Sequence, residues 1–184
     1  MIKKFFIVVF LLLFTNQTQA EESKMILKLK KGNVIIQLFN DVAPNHVKRF
    51  MLLAKEKKYD GVVFHRVIDG FMAQTGDVEF GNTNSEKFNL SQAGTGGSKY
   101  PDLEAEFSDL PHERGTLSMA RSNDPNSANS QFFICLKAAS HLDRNYTVFG
   151  KVIKGMEFVD LIKKGEGSNG EVSNPDIIIS LSAE

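Results

Sequence analysis

Phe64-His65-Arg66-Val67-Ile68-Asp69-Gly70-Phe71-Met72-Ala73-Gln74-Thr75-Gly76-Asp77 spans two short β-type runs, residues 62–67 and 71–75, in which a cation and an amide sit among large apolar side chains. Side chains alternate between the two faces of a strand. Phe64 and Arg66 are therefore expected on one face of the first run, with Val63, His65 and Val67 on the other. Met72 and Gln74 share a face of the second. Further on, Ser130-Gln131-Phe132-Phe133-Ile134 repeats the mixture, with Gln131 and Phe133 on one face. An arginine and two amides beside such residues have two readings. They belong to a rim salt bridge with amides tying loops together, or they serve a function that composition alone does not name.

Outward from these runs the chain reads as mainly β. Strands are expected at 25–30 and 34–39, joined through Lys31-Gly32-Asn33 as a hairpin, and at 115–120, 131–136, 146–152 and 177–181. Two helices interrupt them. Pro44 can open the first, and Val47, Phe50, Met51 and Ala54 recur at i, i+3, i+4 and i+7 as one apolar stripe. The second is expected over 156–164, with Phe158, Leu161 and Ile162 on one face, two lysines in its last turn and Gly165 to stop it. Eight short strands with two helices suit an antiparallel barrel with helices over its ends; periodicity alone leaves barrel and sandwich both open.

Composition removes several function classes. The 184 residues carry 22 Lys+Arg and 22 Asp+Glu, so no net charge favours a broad grip on nucleic acid. Cys135 is the single cysteine, which excludes an intramolecular disulfide and a multi-cysteine metal site; within Phe132-Phe133-Ile134-Cys135-Leu136 it reads as a small buried hydrophobe. His46, His65, His112 and His141 lack ligand spacing and are expected at the surface or in local hydrogen bonds, so neither a metal nor another cofactor is expected. No His-Glu-x-x-His helix, Gly-x-Ser-x-Gly elbow or Gly-Lys-Ser/Thr phosphate loop occurs. Gly94-Thr95-Gly96-Gly97 precedes Pro101 and no helix, and reads as a tight surface turn rather than a phosphate cradle.

The N-terminus has its own pattern. Met1-Ile2-Lys3-Lys4 is basic, residues 5–14 are apolar, and a polar stretch ends at Ala20, the layout of a secretory signal. Ten apolar residues fall short of the roughly 20 that span a bilayer. The expected organisation is a cleavable signal at 1–20 and one exported domain at 21–184, with no membrane anchor after cleavage. A domain of that length buries roughly 70% of its chain surface and needs no disulfide.

The 64–77 and 130–134 segments, with Ser118-Met119-Ala120-Arg121, closely resemble the cyclophilin family of peptidyl-prolyl cis-trans isomerases, and the similarity runs from about Met25 to the C-terminus. The resemblance implies an eight-stranded antiparallel β-barrel capped by two α-helices, with a proline-binding groove on its outside. It implies catalytic positions at Arg66, Gln74 and Phe71, and substrate-binding positions at Met72, Ala120, Arg121, Gln131, Phe133, His141, Leu142 and Tyr146. Arg66 would donate to the proline nitrogen as the imide twists, and Gln74 would hold Arg66 in line. Phe71, Met72, Phe133 and Leu142 would floor the groove, while Gln131 and the Arg121 backbone would bond the substrate chain. The implied substrates are unfolded or partly folded proline-containing polypeptides, acted on by a monomer without a cofactor. The alternative is a proline-peptide binding chaperone module with little turnover.

Three departures accompany the resemblance. His141 stands where cyclosporin-binding members carry tryptophan, and the chain has no Trp, so weak cyclosporin binding is expected. Tyr146 stands where many members have histidine, a change seen in bacterial members; with Ala120-Arg121-Ser122 it suggests a bacterial source, and a Gram-negative one would place the protein in the periplasm. Residues 78–93 are longer than the corresponding loop of the common eukaryotic form and are read as a surface elaboration.

Overall fold

The computed structural model describes residues 23–184, so the signal expected at 1–20 lies outside the described residues. The elements are β1 Lys24–Leu29, β2 Gly32–Leu38, α1 Pro44–Lys55, β3 Arg66–Ile68, β4 Met72–Thr75, β5 Thr116–Met119, β6 Phe132–Cys135, β7 Val148–Lys154, α2 Met156–Asp160 and β8 Ser180–Ala183, with a single 3-10 turn at Ser140–Leu142 before β7. The strands form one antiparallel sheet in the order β3-β4-β6-β5-β7-β2-β1-β8.

Period-two alternation builds the core. Met25, Leu27 and Leu29 of β1 and Val34, Ile36 and Leu38 of β2 are buried on one side, and inward residues of all eight strands join one cluster. Helix α1 adds Val47, Phe50, Leu53 and Ala54. Phe50 sits at the centre, its ring 5.1 Å from Phe132, 5.1 Å from Phe149 and 5.4 Å from Tyr59. No side chain caps α1 locally. Instead the Glu106 carboxylate accepts the Asn45 and His46 N–H groups, which a helix start leaves unpaired, and holds the buried His46 Nδ1 at 2.6 Å.

Two expectations need correction. The run 62–67 is not one strand: Phe64 and Val67 both face the core while Arg66 points outward. Residues 64 and 65 leave the ladder because Phe64 N–H donates to the Asp176 carbonyl and the His65 carbonyl accepts from Val172 N–H. That contact shifts the alternation by one residue and separates Phe64 from Arg66. Helix α2 is five residues long and ends at Asp160, not 164. Lys163 N–H turns away to the Asp176 carboxylate, so Ile162 packs inward while Leu161 stays 60% exposed.

The outer strands β3 and β8 share no ladder. The segments before them meet at the single bridge Val63–Ile177, flanked by Ile178 N–H to the Val62 carbonyl and Gly61 N–H to the Ile178 carbonyl, both 2.8 Å. This use of 176–178 is why β8 starts later than the expected 177.

Candidate active site

Antiparallel register lines up residues that the sequence separates. Arg66 faces Gln74, Gln74 faces Phe133, and Phe133 faces Ser118 across β3, β4, β6 and β5. The next row is Ile68, Met72 and Cys135. The pleat turns these rows away from the main core, so Met72, Phe133, Cys135, Ala139 and Leu142 form a second apolar cluster, with Ile68, Phe71, Ala120 and Tyr146 packed on it. Burial pushes the Cys135 thiol up to about 12, so it packs there as a hydrophobe rather than a nucleophile.

Arg66, Phe71, Met72, Gln74, Ala120, Arg121, Phe133, Leu142 and Tyr146 line one cavity of about 210 Å³. These are the sequence-predicted site residues save two. His141 stands outside it, its ring 5.3 Å from Phe71. Gln131 lies on the wall of an adjoining cavity of about 550 Å³. Sequence pattern gave no sign of that second hollow, whose other walls are Gly94–Ser98, Asp102, Ser122, Ser127 and Asn129. The glycine run is the tight turn expected, and it also borders the site.

The guanidinium of Arg66 is held from two sides. Nε donates to the Asn169 carbonyl at 2.9 Å, and Nη1 donates to Gln74 Oε1 at 3.3 Å. Nη2 has no partner among the described residues, and Arg66 forms no ion pair there, so its charge borders the cavity without a neutralising partner. Gln74 Nε2 donates to Gln131 Oε1 at 3.0 Å. Gln131 commits both amide hydrogens inside the chain, to the Gly94 and Gly96 carbonyls, which leaves its oxygen as its means of meeting a substrate.

The floor is braced from below. Phe133 stacks on the buried His112 ring at 6.2 Å and 18°, and meets the Tyr146 ring edge-on at 6.0 Å. His112 bonds Asp143 through Nδ1 (2.9 Å) and Ser118 through Nε2 (3.0 Å), tying the turn that carries Leu142 to β5. The Arg121 guanidinium lies 4.4 Å from the Tyr146 ring centre and donates to the Asn145 carbonyl, so this cation braces the wall.

His65 departs from expectation. It is not at the surface: its ring is buried, and neither ring nitrogen has a hydrogen-bond partner of good geometry among the described residues. Burial, against Asp77 and together with Arg66, pushes its imidazole down to about 4. Below its unfolded value of about 6.5 the unfolded chain binds a proton that the folded chain refuses, so stability falls as pH drops from about 6.5 toward 4. Relative to His65→Leu, the wild type is expected to lose roughly 2–3 kcal/mol more between pH 7 and 4.5 in urea titrations. Parallel losses in the two proteins would show that His65 is not the group responsible.

The site is thus an apolar hollow on the outer face of an antiparallel sheet, edged by a guanidinium with no ion-pair partner among the described residues and by two linked amides, a shape and polarity suited to a small apolar group beside a hydrogen-bond acceptor. The comparisons agree with such a site. A family model described as cyclophilin type peptidyl-prolyl cis-trans isomerase matches residues 24–183. A probable peptidyl-prolyl cis-trans isomerase of Brucella suis is 57% identical over 164 residues, covering 89% of this chain and 83% of that protein. The peptidyl-prolyl cis-trans isomerase of Acinetobacter baylyi is 41% identical over 141 residues, 74% of this chain and 69% of its own. A Cryptosporidium parvum cyclophilin type isomerase, crystallised in the presence of the dipeptide Ala-Pro, superposes with a TM-score of 0.74 at 26% identity, covering 88% of this chain and 98% of its own. The chain belongs to the cyclophilin-type peptidyl-prolyl cis-trans isomerases.

Proposed function

We propose that this chain catalyses rotation about Xaa-Pro peptide bonds in unfolded or partly folded polypeptides, with Arg66 as the group that lowers the barrier. Rotation breaks the amide resonance against about 18–20 kcal/mol, and no bond to the enzyme has to form. In the planar amide the proline nitrogen has no free electron pair; in the twisted state it becomes pyramidal and regains one. A donor aimed at that pair binds the transition state better than either planar isomer, and only such a difference accelerates the reaction. The guanidinium suits the task because it stays charged and presents its donors in a rigid fork.

The observation carrying this reading is the Arg66 guanidinium fixed by Asn169 and Gln74 at the edge of the Phe133–Leu142 hollow, with Nη2 free to donate. A hydrogen bond to a charged group contributes about 1.5–3 kcal/mol net, and each tenfold of rate needs 1.36 kcal/mol. Holding the proline ring and turning only one side of the bond supplies the remainder. In a protease-coupled assay with an Ala-Xaa-Pro-Phe anilide, substoichiometric protein is expected to speed the slow cis phase. Stoichiometric peptide binding without acceleration would favour the binding-module alternative.

Cyclosporin should bind weakly while isomerase activity is retained, because the position beside Phe71 carries an imidazole instead of an indole N–H. Half-inhibition at low nanomolar drug would contradict this. The sheet is read as a barrel closed between β3 and β8, supported by the Val63–Ile177 bridge and its flanking hydrogen bonds. The protein is further read as an exported monomer of bacterial type, periplasmic if its source is a Gram-negative bacterium. The signal-like pattern of residues 1–20 supports export, and N-terminal sequencing of the mature protein is expected to begin at Glu21; Met1 or Ile2 in its place would contradict cleavage.

A further inference from the structure

Asp77 is fully buried three residues beyond Gln74, and it stands at the end of a continuous set of hydrogen bonds leading to Arg66. Its Oδ1 accepts the Glu79 and Phe80 N–H groups at 3.0 and 2.9 Å, and its Oδ2 accepts the Gly94 and Gly96 N–H groups at 2.7 and 2.9 Å. The carboxylate thereby closes the long 78–93 segment at its base and fixes the Gly94–Gly96 turn. The same two glycines turn their carbonyls to Gln131 Nε2, at 3.0 and 2.8 Å. Gln131 Oε1 accepts from Gln74 Nε2, and Gln74 Oε1 accepts from Arg66.

The direction of this relay is set at both ends. Carbonyls only accept, so the nitrogen of Gln131 must face the turn and its oxygen must face Gln74. A guanidinium only donates, so the oxygen of Gln74 must face Arg66. Neither amide can flip without setting donor against donor or acceptor against acceptor. Gly94 also has no room for a side chain, since a Cβ there would lie 2.9 Å from the His65 ring, so the turn is pressed against a buried surface as well as hydrogen-bonded.

We propose that Asp77 is a positioning residue: by clamping the Gly94–Gly96 turn it orients Gln131 and Gln74 and so holds the Arg66 guanidinium in its productive direction. This rests on the reading of Arg66 as the donor to the proline nitrogen. The test compares two variants that break the clamp differently. Asp77→Asn replaces an acceptor oxygen with a donor; Gly96→Ala places a methyl 2.6 Å from Asp77 Oδ1 and pushes the turn away from outside the core. Each is measured alone and combined with Gln74→Ala, for kcat and KM by NMR exchange at saturating Ala-Pro peptide, and for the rigidity of the Arg66 Nε–H by 15N relaxation.

Each clamp variant is expected to lower kcat about tenfold with KM changed less than about twofold, and to loosen Arg66 Nε–H. With Gln74→Ala present, neither should lower kcat further by more than about twofold, since the relay is already cut. Should Asp77→Asn fail to fold, Gly96→Ala carries the comparison alone. A folded variant with near wild-type kcat and a rigid Arg66, or a full additional loss in the Gln74→Ala background, overturns the proposal. If Arg66→Ala itself keeps full activity, the donor reading fails instead, while the relaxation of Arg66 Nε–H still reports whether Asp77 positions it.

Discussion

Arg66→Ala is expected to lower kcat/KM by at least about a hundredfold, equivalent to about 2.7 kcal/mol of lost transition-state stabilisation. The side chain lies outside the main core and bonds only the Asn169 carbonyl and the Gln74 amide, so the fold should persist, with circular dichroism and melting close to wild type. Because the interaction is made only as the imide twists, the loss should fall on kcat with KM little changed. Arg66→Lys separates charge from geometry. An ammonium keeps the charge, but a single nitrogen cannot reach Asn169, Gln74 and the proline nitrogen together, so a loss of roughly tenfold or more is expected. Coupled-protease progress curves on the three proteins provide the comparison; equal rates in wild type and Arg66→Ala would remove the mechanism.

Phe50→Ala should give the largest loss of stability. Phe50 is fully buried where α1 meets the sheet and is ringed by Tyr59, Phe132 and Phe149. Truncating such a ring costs about 3–5 kcal/mol, combining lost burial with the cavity left behind. For a chain of this size each kcal/mol moves the melting temperature by roughly 2–4 °C, so calorimetry should show a fall of roughly 6–20 °C. Leu161→Ala is the matched control: the same apolar class at 60% exposure should cost less than about 0.5 kcal/mol. Comparable losses for the two variants would mean that the core is not centred on Phe50.

What the sequence disclosed follows how locally each feature is determined. Met72 with Gln74 and Gln131 with Phe133 share faces as alternation requires, because β4 and the approach to β6 run without interruption. Alternation fails between Phe64 and Arg66 because Asp176 and Val172, a hundred positions away in the chain on the order of a domain's length, draw residues 64 and 65 out of the ladder. The end of α2 is likewise set by the Asp176 carboxylate and not by Gly165. Side chains lining the outer hollow were therefore readable, but their supports were not. Arg66 leans on the Asn169 carbonyl and Gln131 on two glycine carbonyls, and a backbone oxygen has no residue identity to read. His65 eluded pattern for the opposite reason. Its residue type predicts well-formed hydrogen bonds, whereas tertiary packing buries both ring nitrogens with no partner of good geometry among the described residues.

The most direct measurement is a high-resolution crystal structure of the protein with a tetrapeptide containing Ala-Pro. The account predicts the pyrrolidine ring seated on Phe133 between Met72 and Leu142, with a guanidinium nitrogen of Arg66 about 3 Å from the proline nitrogen. A guanidinium turned to solvent or paired with a carboxylate, leaving that nitrogen without a donor in reach, would contradict it.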